Sequence, residues 1–331
     1  MDRDTQIGND PGNGPDMHPG SPGAAPPVVA RVAKARPSQR RFDRLIRLVS
    51  EPGFARLQDA HVIVFGLGGV GGFAAEGLAR CGIGKLTLCD FDVVCATNVN
   101  RQIQALHGTV GGSKAGLLAE RMRLIQPQAE FVTVEEFYCA ENAERLLPSE
   151  GRPDFVVDAI DNVSAKMHLL DRCRRLGIPV VSSMGAAGKL DPTAVAVADL
   201  YETHTDPLAR ALRKQLRRHY AWPENGDKKH PVRSGVQVVY STEPRRLPLS
   251  PSWDHDHGFQ CICPGGENDF HSCTHRHIIE GSAVFVTSVF GMVASSVVVR
   301  TLVGRDAAPN APESALAKDD AHEHGDGCCH A

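Results

Sequence analysis

A glycine-dense run, Gly66-Leu67-Gly68-Gly69-Val70-Gly71-Gly72, joins an apolar stretch to a segment of helical spacing. Glycines at such a junction let the backbone turn sharply and approach a phosphate. The helix behind them offers free N–H groups and the positive end of a dipole. The run is therefore a candidate phosphate-approaching loop. A carboxylate about 20 residues further on would accept ribose hydroxyls. Asp90 holds that place, with Asp92 beside it. Alone, the loop fits a dinucleotide dehydrogenase, or a tight turn with no ligand.

The residues beyond Asp90 change the chemistry. Asn98, Asn100 and Arg101 follow within a short stretch, Lys114 opens the next helical segment, and Asp158-Ala159-Ile160-Asp161 ends a later apolar run. Hydride transfer has no use for this set. Attack on the α-phosphate of ATP does: Arg101 and Lys114 can offset charge on the triphosphate as pyrophosphate leaves, and Asp161 can hold Mg²⁺. Each has a plainer alternative: Arg101 as a surface charge, Lys114 as a solvated helix residue, Asp161 as a helix N-cap.

Alternating elements would position these residues. Strands are expected at 60–65, 85–90, 131–134, 155–160 and 179–183, and helices at 71–81, 114–125 and 165–176, with Gly82, Pro127 and Gly177 as stops. Short apolar strands separated by helices imply an α/β, Rossmann-like, doubly wound and mainly parallel sheet. After about residue 191 the pattern loosens into a cross-strand (antiparallel) extension, a basic helix and a Cys/His-rich segment. A helix over 283–302 closes the chain. The expected layout is a low-complexity segment at 1–37, a domain at 38–304 (nucleotide-binding to 190, substrate and dimer contacts from 191), and a mobile Cys/His tail at 305–331.

In this order of motifs the sequence resembles the E1-like adenylating superfamily, which includes activators of ubiquitin-like sulfur carriers. The resemblance implies that Gly66, Gly68, Gly69 and Gly71 line the nucleotide, that Asp90 binds the ribose, that Asn98, Arg101 and Lys114 contact phosphates, and that Asp161 coordinates Mg²⁺. Arg41-Phe42-Asp43-Arg44 resembles the family's early arginine segment, which implies a homodimer with Arg44 reaching into the partner subunit's site. Sulfur-carrier activators usually hold zinc on two CxxC pairs, a strong signal, and this chain has no CxxC pair. Other stretches, including 97–103, 189–193, 205–209 and 240–243, are similar to the tRNA threonylcarbamoyladenosine dehydratase branch. That implies ATP-dependent cyclisation of the threonylcarbamoyl group on a tRNA adenosine through an acyl-adenylate. The alternative is adenylation of a sulfur carrier's C-terminal glycine.

A tRNA needs a landing surface. Arg210, Arg213, Lys214, Arg217 and Arg218 share one face at helical spacing, with Lys228, Lys229 and Arg233 just after. An ordinary solvated basic face explains the same spacing. Three Cys and five His fall between residues 255 and 277. Cys261, Cys263 and Cys273 with one His could ligate zinc, but CxC with a long gap does not favour it. A catalytic thiol is another option.

Composition sets the limits. Net charge is −3 over 331 residues, so bulk charge does not argue for nucleic-acid binding and any basic surface is local. No apolar leader precedes the domain, and the ten cysteines form no small-scaffold pattern. Reduced thiols in a cytoplasmic protein are expected. The apolar stretch 282–299 is interrupted by Ser and Thr and closed by Arg300, which fits a buried helix better than stable membrane insertion. A sulfur-transfer protein is a further candidate partner.

Overall fold

Strand β1 (His61–Phe65) alternates its faces: Val62 and Val64 enter one hydrophobic cluster, Ile63 and Phe65 another. That period of two makes it the centre of a sheet covered on both sides. The computed structural model describes residues 40–224, 232–249, 251 and 280–304. The chain divides into Met1–Arg40 and Arg41–Ala331, and the sheet belongs to the second unit.

Helices α1 (Asp43–Val49) and α2 (Glu51–Asp59) precede β1. The strand–helix alternation did not indicate them, because both are short and Pro52-Gly53 interrupts the pattern. Pro52 is harmless in the first turn, where its missing N–H has no helical partner. After β1 come α3 (Gly71–Arg80), β2 (Lys85–Cys89), α4 (Lys114–Ile125), β3 (Glu130–Val134) and the short α5 (Ala143–Leu146). Then follow β4 (Phe155–Asp158), α6 (Val163–Leu176), β5 (Val180–Ser183) and β6 (Val195–Asp199). Helix α7 (Pro207–Tyr220), β7 (Gln237–Ser241) and α8 (Val284–Leu302) complete the unit. Gly177, at φ 65°, ends α6 in the left-handed region that favours glycine.

The seven-stranded sheet runs β3-β2-β1-β4-β5-β7-β6. All neighbours are parallel except β6 and β7, which pair antiparallel with Ala196 opposite Tyr240. This is the expected doubly wound sheet with its antiparallel extension. The order reverses between β1 and β4, and such switch points open a crevice at the carboxyl ends of the strands.

Helices α3, α4 and α8 contribute to the Val62/Val64 cluster, and α6 and α7 to the Ile63/Phe65 cluster. Helix α8 is long and apolar enough to cross a membrane by length and composition. Here Val286, Phe290, Ala294, Val297 and Val298 are buried in the core. Its approach to α3 depends on glycines. A Cβ on Gly291 would fall 2.4 Å from Val70 O, and one on Gly77 2.4 Å from Ser295 Oγ.

Candidate active site

The glycine loop turns from β1 into α3 at the switch point. Gly66 has φ 83°, and a Cβ there would lie 2.6 Å from Ala159 O at the end of β4. A Cβ on Gly71 would fall 1.7 Å from Gly66 O, so the strand–helix turn cannot close around any side chain at either place. A Cβ on Gly69 would lie 3.1 Å from Arg101 O and 3.2 Å from Thr287 of α8. A Cβ on Gly68 would meet only Gln102 Nε2, at 3.8 Å, so this part of the loop is the most open to a ligand.

Asp90 follows β2 and braces the loop. Its carboxylate accepts Leu67 N–H at 2.6 Å and Asp92 N–H at 2.8 Å. Two backbone donors leave acceptor capacity for ribose hydroxyls, since a carboxylate has about four lone-pair sites. Burial pushes the Asp90 carboxyl up from its ordinary range, against the pull of the nearby Lys114 ammonium. Lys114 stands at the first turn of α4, capped by Ser113, whose Oγ accepts Gly116 N–H at 3.1 Å. It is buried, and Nζ donates to Asp92 Oδ2 at 2.8 Å. Lys114 is therefore not a solvated helix residue. The bridge of Val93 to Ser113 and the Val94–Gly112 hydrogen bond close the base of the 90–114 excursion and return Lys114 to Asp92.

The stretch between holds Asn98, Asn100 and Arg101. Asn98 is buried, and its Oδ1 accepts Cys95 N–H at 3.0 Å, so its Nδ2 end is the part able to reach a phosphate. Arg101 donates to Thr97 O and Asn100 Oδ1 at 2.8 and 2.9 Å, while its own carbonyl faces Gly69. Asn100 Nδ2 donates to Ser282 O at 2.9 Å, which joins this stretch to the residues before α8.

Asp161 is exposed beyond β4 and is not the N-cap of α6. Asn162 is, accepting Ala165 N–H at 3.0 Å. Behind Asp161 lies a closed polar network that sequence reasoning missed. Lys166 Nζ, fully buried, donates to Asp158 Oδ2 at 2.8 Å and Ile160 O at 3.0 Å. Ser182 Oγ donates to the same carboxylate oxygen at 2.6 Å, and Ile160 N–H reaches Oδ1 at 3.1 Å. The network fixes the turn that carries Asp161. Its signal was a lysine within the apolar stripe of Leu169, Leu170 and Cys173 at helical spacing.

The basic face of α7 is narrower than expected. Arg213 turns inward, donating to Leu200 O at 3.1 Å and to Thr203, and burial lowers its guanidinium from the ordinary value. It borders the buried Leu212 and Leu216, so its stem packs while its head satisfies carbonyls at the end of a neighbouring turn. Arg217 pairs with Glu224 at 3.0 Å. Arg210, Lys214 and Arg218 are the exposed members, at successive i, i+4 positions. Arg44 is exposed on α1. Lys228, Lys229, Cys261, Cys263, Cys273 and the Cys/His tail lie outside the described residues. Among the described residues no cluster of His, Cys, Asp and Glu could hold a metal by itself. Cys89 and Cys173 are buried thiols pushed up from their ordinary value by burial, which makes them unreactive.

Residues 42–323 match the ThiF family. The chain is 37% identical over 277 residues to the tRNA threonylcarbamoyladenosine dehydratase of Haemophilus influenzae, covering 83% of this chain and 97% of that protein. The Escherichia coli protein of the same name is 39% identical over 272 residues, covering 81% and 96%. A crystal structure of that E. coli dehydratase in complex with ATP aligns at TM-score 0.66 and 38% identity, over 80% of this chain and 94% of that one. The glycine loop, the Asp90–Lys114 cluster and the seven-stranded sheet thus sit in a chain that belongs to the ThiF family, alongside the tRNA threonylcarbamoyladenosine dehydratases.

Proposed function

We propose that the chain is an enzyme, an ATP-dependent dehydratase that cyclises N6-threonylcarbamoyladenosine in tRNA. The observation that carries this reading is the gathering of Asp90, Lys114 and Arg101 around an open glycine loop at the sheet's switch point, in a chain that covers 97% and 96% of the two bacterial dehydratases. Gly66, Gly68, Gly69 and Gly71 line the nucleotide and Asp90, steadied by Asp92, accepts its ribose. Asn98, Arg101 and Lys114 neutralise the phosphates. The threonyl carboxylate attacks the α-phosphate and pyrophosphate leaves. A carbamoyl atom of the same side arm then attacks the acyl carbon and AMP departs, so the arm loses one water overall. Both groups belong to one substituent, and proximity lowers the barrier to ring closure.

Asp161 supplies one exposed carboxylate beside the phosphates, which suits Mg²⁺, an ion held by one or two carboxylates plus phosphate oxygens. Bound there, Mg²⁺ would offset phosphate charge. In this reading residues 38–190 hold the nucleotide and 191–304 the tRNA and the dimer contacts. Arg210, Lys214 and Arg218 meet tRNA phosphates. Arg44 enters the site of a second copy. Val99, Leu106 and Val110, apolar residues 58%, 55% and 45% exposed around the phosphate stretch, give that copy a surface to cover. In this reading the enzyme works in the cytoplasm.

The test incubates the protein and ATP with threonylcarbamoylated tRNA, digests the RNA and weighs the nucleoside. Loss of one water is expected. No loss, together with adenylate formation on a sulfur-carrier protein, would replace this reading with the carrier-activating one.

A further inference from the structure

Asp206 is 2% exposed and only half satisfied. Its Oδ1 caps α7 by accepting Ala209 N–H at 2.8 Å. Its Oδ2 is shielded from solvent and has no hydrogen-bond partner among the described residues, and Asp206 is part of the wall of a pocket of about 220 Å³. A buried carboxylate oxygen without a partner carries a desolvation cost that native structures rarely retain without a use. The backbone holding it is itself uncommon: Thr205 has φ 62°, and Asp206 N–H bonds to His204 O at 2.7 Å.

The pocket lies at the same sheet edge as the glycine loop. Asp158 of β4 is paired with Ser182 of β5. Three residues beyond Asp158 comes Asp161; three beyond Ser182 comes Gly185, which lines the pocket. Adjacent strands are about 4.8 Å apart. A short segment ties the two places together. Glu280 is in the pocket wall, Gly281 O accepts Gly188 N–H at 2.8 Å, and Ser282 O accepts Asn100 Nδ2 beside Arg101. On the other side, Pro207 and Leu208 begin the helix whose exposed stripe is Arg210, Lys214 and Arg218. The pocket therefore lies between the phosphate-binding residues and the basic helix.

The walls say what fits. Ala187, Pro207 and Leu208 are apolar, and the charges of Arg245 and Glu280 are spent on each other. Lys189 is held by Glu243 O. Asp206 Oδ2 is thus the acceptor offered to a ligand. The volume is below the roughly 300–1,000 Å³ of sites that enclose a whole small molecule, so it suits one arm of a larger substrate. We infer that this pocket receives the ureido-threonine arm of the modified adenosine, with Asp206 Oδ2 accepting a hydrogen bond from a ureido N–H. This rests on the dehydratase reading. The arm's carboxylate then faces the nucleotide, and the carbamoyl group is held within reach of the activated carbon.

Two variants test it. Asp206→Asn keeps a capping oxygen for Ala209 but replaces the acceptor Oδ2 with a donor. Gly185→Ala places a methyl 3.5 Å from Oδ2, an ordinary contact with no other neighbour within 4 Å, and so fills the pocket without strain. Melting temperature, ATP affinity, steady-state cyclisation, and affinity for modified and for unmodified tRNA are measured on the full-length protein. Both variants are expected to keep the wild-type melting temperature and ATP affinity, to lose at least tenfold in kcat/KM, and to lose the wild-type preference for modified tRNA. A competent wild type accompanied by an Asp206→Asn protein with unchanged kcat, KM and preference overturns this inference alone. A wild type that leaves modified tRNA unchanged overturns the dehydratase reading, and this inference with it.

Discussion

Asp158 and Asp206 occupy the same edge of the sheet and are almost equally buried, at 0% and 2% exposed. Asp158 is enclosed: a lysine, a serine and a backbone N–H complete its fully buried carboxylate. Asp206 keeps one oxygen for its helix, while the other is buried with no hydrogen-bond partner among the described residues. Burial by itself therefore does not distinguish a structural charge from a functional one; completeness of hydrogen bonding does. Asp158 stiffens the turn that carries Asp161, whereas Asp206 is the carboxylate inferred above to meet the substrate arm.

Substitutions should separate the two. Lys166→Met strands the Asp158 charge, and breaking a buried pair costs about 3–5 kcal/mol. Chemical denaturation should show a loss of that size, and a loss under ~1 kcal/mol would mean that the network is not structural. On the nucleotide side, Lys114→Met should slow adenylate formation about 10²–10³-fold while the protein stays folded, as read by single-turnover pyrophosphate release. If Arg44 acts across a dimer, mixing inactive Arg44→Ala and Lys114→Met proteins should restore part of the activity; no recovery would place Arg44 outside the site. Replacing Arg210, Lys214 and Arg218 with Glu should make the salt dependence of tRNA affinity shallower by roughly 0.7–0.9 in log–log slope per lost phosphate contact, with ATP affinity unchanged. The smallest effect is the most discriminating: Asp206→Asn should leave stability within a few tenths of a kcal/mol of wild type, because Asn caps as well as Asp, whereas Asp206→Ala should cost about 1 kcal/mol.

Asp90 adds a pH dependence with two opposite signs. Its carboxyl is raised by burial, so it takes up a proton above the ordinary carboxylate range as pH falls. A protonated acid is the poorer acceptor for ribose hydroxyls, and nucleotide affinity should fall on acidification through that raised value. The contribution of Asp90 to the stability of the nucleotide-free protein has the reverse sense. It is fully present below the unfolded pKa and is lost as pH rises through the folded one. Titrating ATP affinity and melting temperature over the same range should show the two moving apart, and Asp90→Asn should flatten both.

Much of the nucleotide side was legible because its signals are local. A strand, a glycine turn and a helix follow each other in the chain, and the Asp90 carboxylate comes at the spacing a second strand imposes. The alternation of apolar runs announced the parallel sheet for the same reason. Lys114 was legible as a cation but not as a buried one, since its partner Asp92 meets it only when the 90–114 excursion folds back. Arg213 was expected on the exposed basic face but turns inward, because helical spacing gives the direction of a side chain but not what waits beside it, here the carbonyl of Leu200 and Thr203.

By itself, then, the sequence determined the strand–helix order from β1 through β5, the candidate nucleotide loop and the cations that point to ATP rather than a dinucleotide, because each depends on neighbours within one or two elements. Only the tertiary structure decided which charges are closed and which are open. Lys166 and Asp158 complete each other with Ser182 on another strand, while Asp206 lines a pocket with Gly185, Ala187, Lys189, Arg245 and Glu280, distant in the chain. Hydrogen-bond satisfaction is a property of positions in space, and no spacing along the chain records it.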